Sequence, residues 1–484
     1  MTEETGRNAN RSTVPNSSGF TEHISQHWAP RPGASVAPGP AELAASRRRA
    51  ELSAAFAGVR LVVGAGGPKV RSNDDDYRYR AYSAFSYYTG WGADTVPESV
   101  LVLEPEGSEH RAVLYFRPTA DRTTEEFYAD ASIGEFWVGA RPGLSDIASR
   151  LGVETRDLAD FAADRERWSG PTSILRESDE ALTATLDAWR SEATRGDDDT
   201  FAEFASEQRL VKDEYEIAEM RAAIASTAAG FDDVLAALPR AQAATRGERL
   251  IEGVFFTRAR IDGNDVGYGS IAAAGAHATI LHWTRNDGLV RPGELVLLDA
   301  GVERESFYTA DITRTFPVNG SFSPVQRQVY EAVLEAADAA FAVVRPGIVF
   351  REVHAAAMAV IARKTAEWGF LPVSAEESLE PEHQYHRRYM VHGTSHHLGI
   401  DVHDCAQARK EFYIDGVVRE GMIFTIEPGL YFQPDDLTVP ESFRGIGVRI
   451  EDDILVTATG AENLSSAIPR TVADVESWVQ RLAR

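Results

Sequence analysis

The sequence contains one cysteine, Cys405, in 484 residues. No disulfide can close within the chain, which excludes a stapled secreted scaffold and fits a reducing compartment. Histidines near Cys405 invite a thiol-nucleophile reading, but a small buried residue is the simpler expectation. No run approaches the ~18 apolar residues needed to cross a bilayer. The first residues, MTEETGRNAN, are polar and lack an apolar stretch, so export is not expected and a cytoplasmic location is. Cations are also scarce, with 49 Lys and Arg against 74 Asp and Glu and a formal net charge of -25. Nucleic acid and anionic membrane both need clustered positive charge, so neither is an expected partner. A carboxylate surplus keeps a surface solvated and also suits a protein that binds cations.

What is present is ordinary globular material. Apolar residues make up 43% of the chain, enough for sizeable cores, and the length suits two or three domains. Residues 1–40 are rich in Ser, Asn, Thr, Pro and Gly and read as a disordered, mobile tail, with Phe20 and Trp28 as candidate anchors to the body or to a partner. Residues 41–195 read as an α/β domain, in which AELAASRRRAELSAAF is helical and RLVVGAG, ESVLVLEP and RAVLYFRP are strands. Residues 196–212 are charged, with an acidic triplet, and read as a hinge or linker. Residues 213–484 form a second, larger domain. It opens on an amphipathic helix with Ile217, Met220, Ile224 and Ala228 at helical spacing.

The chemistry lies in that second domain. In ELVLLDAG, Asp299 ends an apolar strand, where an unpaired carboxylate is costly. Asp311 follows twelve residues later in YTADITRTFPV, a second β-branched strand, and a hairpin would bring the two together. Close carboxylates repel, and a cation is the usual remedy. The alternatives are a turn role for Asp299 and an ion pair between Asp311 and Arg314. HGTSHHLGIDVHD then places His392, His396, His397 and His403 within twelve residues, a third of the chain's 12 histidines. Gly393 and Gly399 make a helix there unfavourable. In GMIFTIEPGLYF, Glu427 ends a strand before a Pro-Gly turn. In FRGIGVRIEDDILVT, Arg449, Glu451 and Asp453 share one face of a strand, so that Glu451 joins the site, pairs with Arg449, or does both. Four buried carboxylates require comparable positive charge. An oxygen-rich set with one imidazole suits hard or borderline divalent ions.

These segments resemble the Xaa-Pro aminopeptidases (aminopeptidase P) of the pita-bread metallopeptidase family, with the likeness running from about residue 41 to near the C-terminus. The resemblance implies an α/β creatinase-type N-terminal domain followed by a pita-bread catalytic domain. It implies two divalent metal ions, Mn²⁺ first and Co²⁺ or Zn²⁺ otherwise, held by Asp299, Asp311, His396, Glu427 and Glu451, with Asp311 and Glu451 bridging. A hydroxide between the ions would attack the peptide bond ahead of a proline in second position, with Glu427 as proton shuttle. His392 and His403 would hold the substrate carbonyl, His282 would be a further active-site histidine, and Arg449, Tyr268 and Tyr431 would line the substrate site. Asp311 follows Asp299 at one residue more than the family's usual spacing, which a bulge or longer turn would absorb. The aromatics of YRYRAYSAFSYYTGW would either wall the substrate pocket or pack in a core. Peptides with proline second are the implied partners, and a dimer or tetramer the implied assembly. Two other readings remain open: an Xaa-Pro dipeptidase (prolidase), and a non-catalytic interaction protein on the same fold.

Overall fold

A computed structural model describes residues 13–483 apart from 16, 32, 34, 35 and 74. The chain divides into two compact units, Met1–Ala202 and Glu203–Arg484. No helix of the described residues is long and apolar enough to cross a membrane.

The first unit is built on a five-stranded mixed sheet. Its spatial order is Glu154–Asp157, Glu109–Phe116, Val100–Glu106, Arg60–Gly64 and Thr172–Ile174. The three strands read from sequence are its middle. Arg60–Gly64 is buried throughout and pairs antiparallel with Val100–Glu106 and parallel with Thr172–Ile174. The helix Pro40–Ala55 opens on proline, which suits a first turn. Phe85, Tyr87, Tyr88 and Trp91, from the aromatic-rich segment, are buried in this unit's core. Trp91 meets Phe116 edge-on.

Residues 1–12 of the expected tail lie outside the described residues. Between 17 and 31 the stretch read as mobile is instead held, because its two aromatics find partners. The helix Ser18–Ser25 sets Phe20 edge-on to Tyr128, and Trp28 meets Phe127 and Phe136 in the same manner. The segment read as a linker carries the helix Asp198–Gln208. Its acidic residues are used locally: Asp198 pairs with Arg190 and Arg176, and Asp197 accepts the Thr200 N–H.

In the second unit the helix Glu214–Ala243 begins on an Asp213 capping box and packs on Gly247–Asp262; Pro324–Val343 packs on Arg351–Glu367. Strands Ile271–Ala274, Leu295–Ala300 and Ile312–Pro317 form one antiparallel sheet with Leu295–Ala300 central. Strands Ile423–Ile426, Asp452–Val456 and Ala461–Asn463 form another, and Gly429–Tyr431 pairs with Gly447–Arg449. The alternation read across 447–453 is therefore two strands, broken at Ile450 and Glu451. The break lets each strand keep its own partner.

The Ile312–Pro317 strand runs alongside that break. Glu451 N–H donates to the Thr313 carbonyl at 3.1 Å, and Thr315 Oγ1 bonds the Arg449 backbone. Arg314, also on this strand, is fully buried. It does not pair with Asp311: its guanidinium reaches Asp452 at 2.7 Å and the carbonyls of Thr313, Glu451, Ile468 and Pro469. Its donors thus tie the C-terminal segment to the strands that carry the site. Replacing Arg314 by Met would leave Asp452 with Arg470 alone and strip the carbonyls of a donor. We expect a loss of about 3 kcal/mol, read as a lower denaturant midpoint.

Candidate metal centre

Asp299 stands at the fifth position of the wholly buried strand Leu295–Ala300, opposite Thr313. Asp311 sits immediately before the partner strand, so the two carboxylates flank one hairpin end. The chain between them turns through Gly301, where a Cβ would lie 1.7 Å from the Ala310 carbonyl oxygen and 3.3 Å from the Tyr268 ring. Only a glycine permits that approach. The Tyr268 hydroxyl is 2.6 Å from Asp299 Oδ1 and 2.5 Å from Asp311 Oδ1, so the long connection delivers both carboxylates to one place.

His396 is held by extended pairing. Thr425 N–H donates to the His396 carbonyl and Glu427 N–H to that of Thr394, each at 2.9 Å, which lays residues 394–397 along the Ile423–Ile426 strand. Side chains alternate along it. His396 Nε2 faces the cavity, 3.3 Å from Asp311 Oδ2 and 3.5 Å from Glu427 Oε1. His397 is buried on the other side, stacked on Phe350. Glu427 ends its strand as read from sequence. Glu451 occupies the strand break, and its Oε2 accepts from Thr313 Oγ1 at 2.6 Å.

Arg449 faces several partners. It forms an ion pair with Asp299, donates to Thr313 Oγ1 at 3.0 Å and to the Tyr431 hydroxyl at 3.1 Å, and stands 4.0 Å from Glu451. The Tyr431 hydroxyl also contacts His392 Nε2 at 2.8 Å. His403 stands edge-on to His396, ring centres 4.5 Å apart. A cavity of about 720 Å³ gathers Tyr268, His282, His392, His403 and Arg449 with all five candidate ligands. Of the sequence-predicted site residues, Tyr431 alone is outside its lining, one hydrogen bond behind His392 and Arg449. Among the described residues, Asp311, His396 and Glu451 offer ligand atoms within 4.8 Å of one another.

Sequence reasoning missed two participants. Thr313 is fully buried and bridges Arg449 and Glu451 through its hydroxyl; in the sequence it is one of several threonines in a β-branched run. Tyr413, in the loop after His403, lines the cavity and accepts the His397 N–H at 3.0 Å. Nothing in the local pattern marks it. Cys405 is fully buried, and burial pushes its thiol up, away from nucleophile chemistry.

The electrostatics show a surplus of negative charge. Burial, then the neighbouring Asp311, Glu427 and Asp299, push the Glu451 carboxyl well above the usual range. Glu427 is pushed up to about 7, by burial first and by Asp311 and Asp299, against the pull of His396 and Arg449. Burial opposes charge on His396, yet its bond to Asp311 and the field of Glu427 outweigh that and raise it to about 9. The donors therefore fit a divalent cation: oxygen-rich, one imidazole, and a local field that draws positive charge.

Fold and centre together define a metallopeptidase of the pita-bread type with an aminopeptidase P-type first domain. The chain belongs to metallopeptidase family M24, which it matches over residues 218–458, and matches the aminopeptidase P N-terminal domain over 45–169; the family implies divalent metal ions. It is 50% identical to Xaa-Pro aminopeptidase 1 of Streptomyces coelicolor over 90% of this chain and 86% of that one. It is likewise 50% identical to Xaa-Pro aminopeptidase 2 of the same organism over 94% and 95%. Among solved structures, aminopeptidase P of Escherichia coli with the inhibitor Pro-Leu superposes with a TM-score of 0.78 at 30% identity, covering 91% of this chain and 98% of that one.

A buried anionic centre gains stability from any cation that binds the folded state alone. Added Mn²⁺, Co²⁺ or Zn²⁺ is expected to raise the thermal midpoint by roughly 5 °C or more, and a chelator to reverse it. Asp311→Asn and Gly301→Ala should lose most of the gain. An unchanged wild-type midpoint with all three ions would rule the centre out.

Proposed function

We propose that this protein is an Xaa-Pro aminopeptidase, which hydrolyses the first peptide bond of substrates with proline in second position. The observation that carries the reading is the convergence, in one cavity, of four carboxylates and His396 with His392 and His403 alongside. The identity to curated Xaa-Pro aminopeptidases across both units supports it. Asp299, Asp311, His396, Glu427 and Glu451 would hold two divalent ions, with Mn²⁺ as the expected metal and Co²⁺ or Zn²⁺ serving otherwise. Bound there, such ions lower the pKa of water and offset charge developing on the carbonyl oxygen.

The protein's own groups supply the proton path. Glu427 takes the proton of the attacking water, and the carbonyl carbon becomes tetrahedral. Proline's nitrogen carries no hydrogen in the peptide, so it leaves as a secondary amine only after gaining one. Glu427 passes on the proton it holds as the C–N bond breaks. His392 and His403 hold the carbonyl oxygen and stabilise its negative charge. His403 is suited as a neutral donor, since burial, then His396, lowers it. His392, brought down to about 3 by burial and then Arg449, gives its one N–H to the Gly393 carbonyl at 2.6 Å, so it must release that bond to donate to the substrate. Arg449, Tyr268 and Tyr431 orient the carboxylates and the wall on which the substrate lies, and His282 completes the histidine set. A cytoplasmic location and a dimeric or tetrameric assembly belong to the same reading.

An Xaa-Pro-Xaa tripeptide is expected to be cleaved well and an Xaa-Pro dipeptide poorly; clear preference for the dipeptide would make the protein a prolidase. Glu427→Gln should cut kcat by about 1,000-fold or more while leaving the fold intact, read by an unchanged circular dichroism spectrum. His403→Ala is expected to lower kcat about 100-fold while stability changes little. Matched losses in activity and stability would make His403 a structural residue instead.

A further inference from the structure

The cavity wall formed by Leu281, His282 and Thr284 comes from the connection 274–288, whose regular structure is the short 3-10 turn Gly275–Thr279. Its shape is imposed from outside itself, largely by one side chain. Glu248, second residue of the helix Gly247–Asp262, is wholly buried and does not line the cavity. Its Oε1 accepts from the Ala274 N–H at 2.8 Å and meets His277 Nδ1 at 2.7 Å. Its Oε2 accepts from Trp283 Nε1 at 2.9 Å and from the Gly288 N–H at 2.6 Å. These four partners mark the start, the turn, the middle and the end of the connection. The Trp283 indole, fixed this way, stacks on His277 with ring centres 3.9 Å apart. At Gly288 a Cβ would sit 2.7 Å from the carboxylate atoms, so the backbone can approach only as glycine.

The chemistry of the group matters as much as its place. A carboxylate offers acceptors on both oxygens and no donor, which is what four N–H groups require. An amide of the same shape would turn its own N–H₂ toward two of them. His282, the residue before Trp283, has no such anchor of its own among the described residues; its carbonyl accepts the Thr284 N–H at 2.9 Å, inside the same connection.

We propose that Glu248 is a positioning residue for His282: it fixes the 274–288 connection so that the imidazole stands at the cavity wall, a role that rests on the aminopeptidase reading above. Glu248→Gln, His282→Ala and the double variant decide it, read by kcat/KM on an Xaa-Pro-Xaa tripeptide and by hydrogen exchange over 275–288. Glu248→Gln is expected to lose about 10- to 100-fold in kcat/KM and to speed exchange in that segment. In the double variant the loss should stay within about 2-fold of His282→Ala alone. Losses that multiply, or exchange unchanged over 275–288, would overturn the proposal. Trp283→Phe removes one donor of the four and should give a smaller loss with the same non-additivity, which keeps the test decisive if Glu248→Gln folds poorly. A wild-type protein that leaves the tripeptide intact would sink the aminopeptidase reading, while the exchange result would still decide whether Glu248 holds the connection.

Discussion

Asp299, Asp311, Glu427 and Glu451 share one cavity, and each is mostly or wholly buried. Two unit charges 4 Å apart at a protein's effective dielectric repel by about 4 kcal/mol, so four carboxylates here do not all stay ionised without added positive charge, and burial and mutual repulsion push Glu451 and Glu427 up. Much of the second unit's local structure offsets that repulsion. Arg449 is spent on Asp299, the Tyr268 hydroxyl on Asp299 and Asp311, and Thr313 on Glu451. The remaining imbalance shows in His396, drawn toward the charged form despite its burial. A cation is the group that resolves it, which makes metal affinity and folded stability one free-energy problem.

Holding like charges together requires stiff supports, and each carboxylate lies within or at the end of a buried strand. The hairpin at 295–317 fixes Asp299 and Asp311 through Gly301. Residues 394–397 are fixed against the Ile423–Ile426 strand. The strand break at Ile450 and Glu451 lets a fourth carboxylate enter from a chain that otherwise continues in a different sheet. Arg314 sits behind the same strand with its charge fully paired on the far side from the cavity. Two guanidiniums one strand apart thus serve different ends: Arg314 joins chain segments, and Arg449 balances the centre.

The carboxylates and histidines were legible in the sequence because each breaks an apolar strand pattern or clusters at short range, and the resemblance to aminopeptidase P named the same positions. What escaped were contacts that period and spacing do not encode. Thr313 looks like any β-branched residue of a strand until its hydroxyl is seen between Arg449 and Glu451. Tyr413 reaches the cavity through a loop whose path no local rule sets. The continuous strand expected across 447–453 is two, since the choice of partner strand is tertiary. The stretch 17–31 looked too polar to order, while the two residues read as anchors, Phe20 and Trp28, are held among Tyr128, Phe127 and Phe136. Composition averages over a segment, whereas docking depends on two side chains within it.

Four histidines within twelve residues also show how environment, not residue type, assigns a role. His396, between Asp311 and Glu427, lies where positive charge is favoured, so it offers a lone pair readily to a cation that takes the proton's place. His392 lies against Arg449 and Tyr431, and His403 against His396; burial and neighbouring positive charge keep both imidazoles neutral. A neutral imidazole donates one hydrogen bond without adding a charge that would compete for the carboxylates; that of His392 goes to the Gly393 carbonyl. His397, turned to the other side of the same short segment, stacks on Phe350 and takes no part in the cavity. The period-two geometry of residues 394–397 separates His396 from His397, and the counter-charges around each remaining ring do the rest.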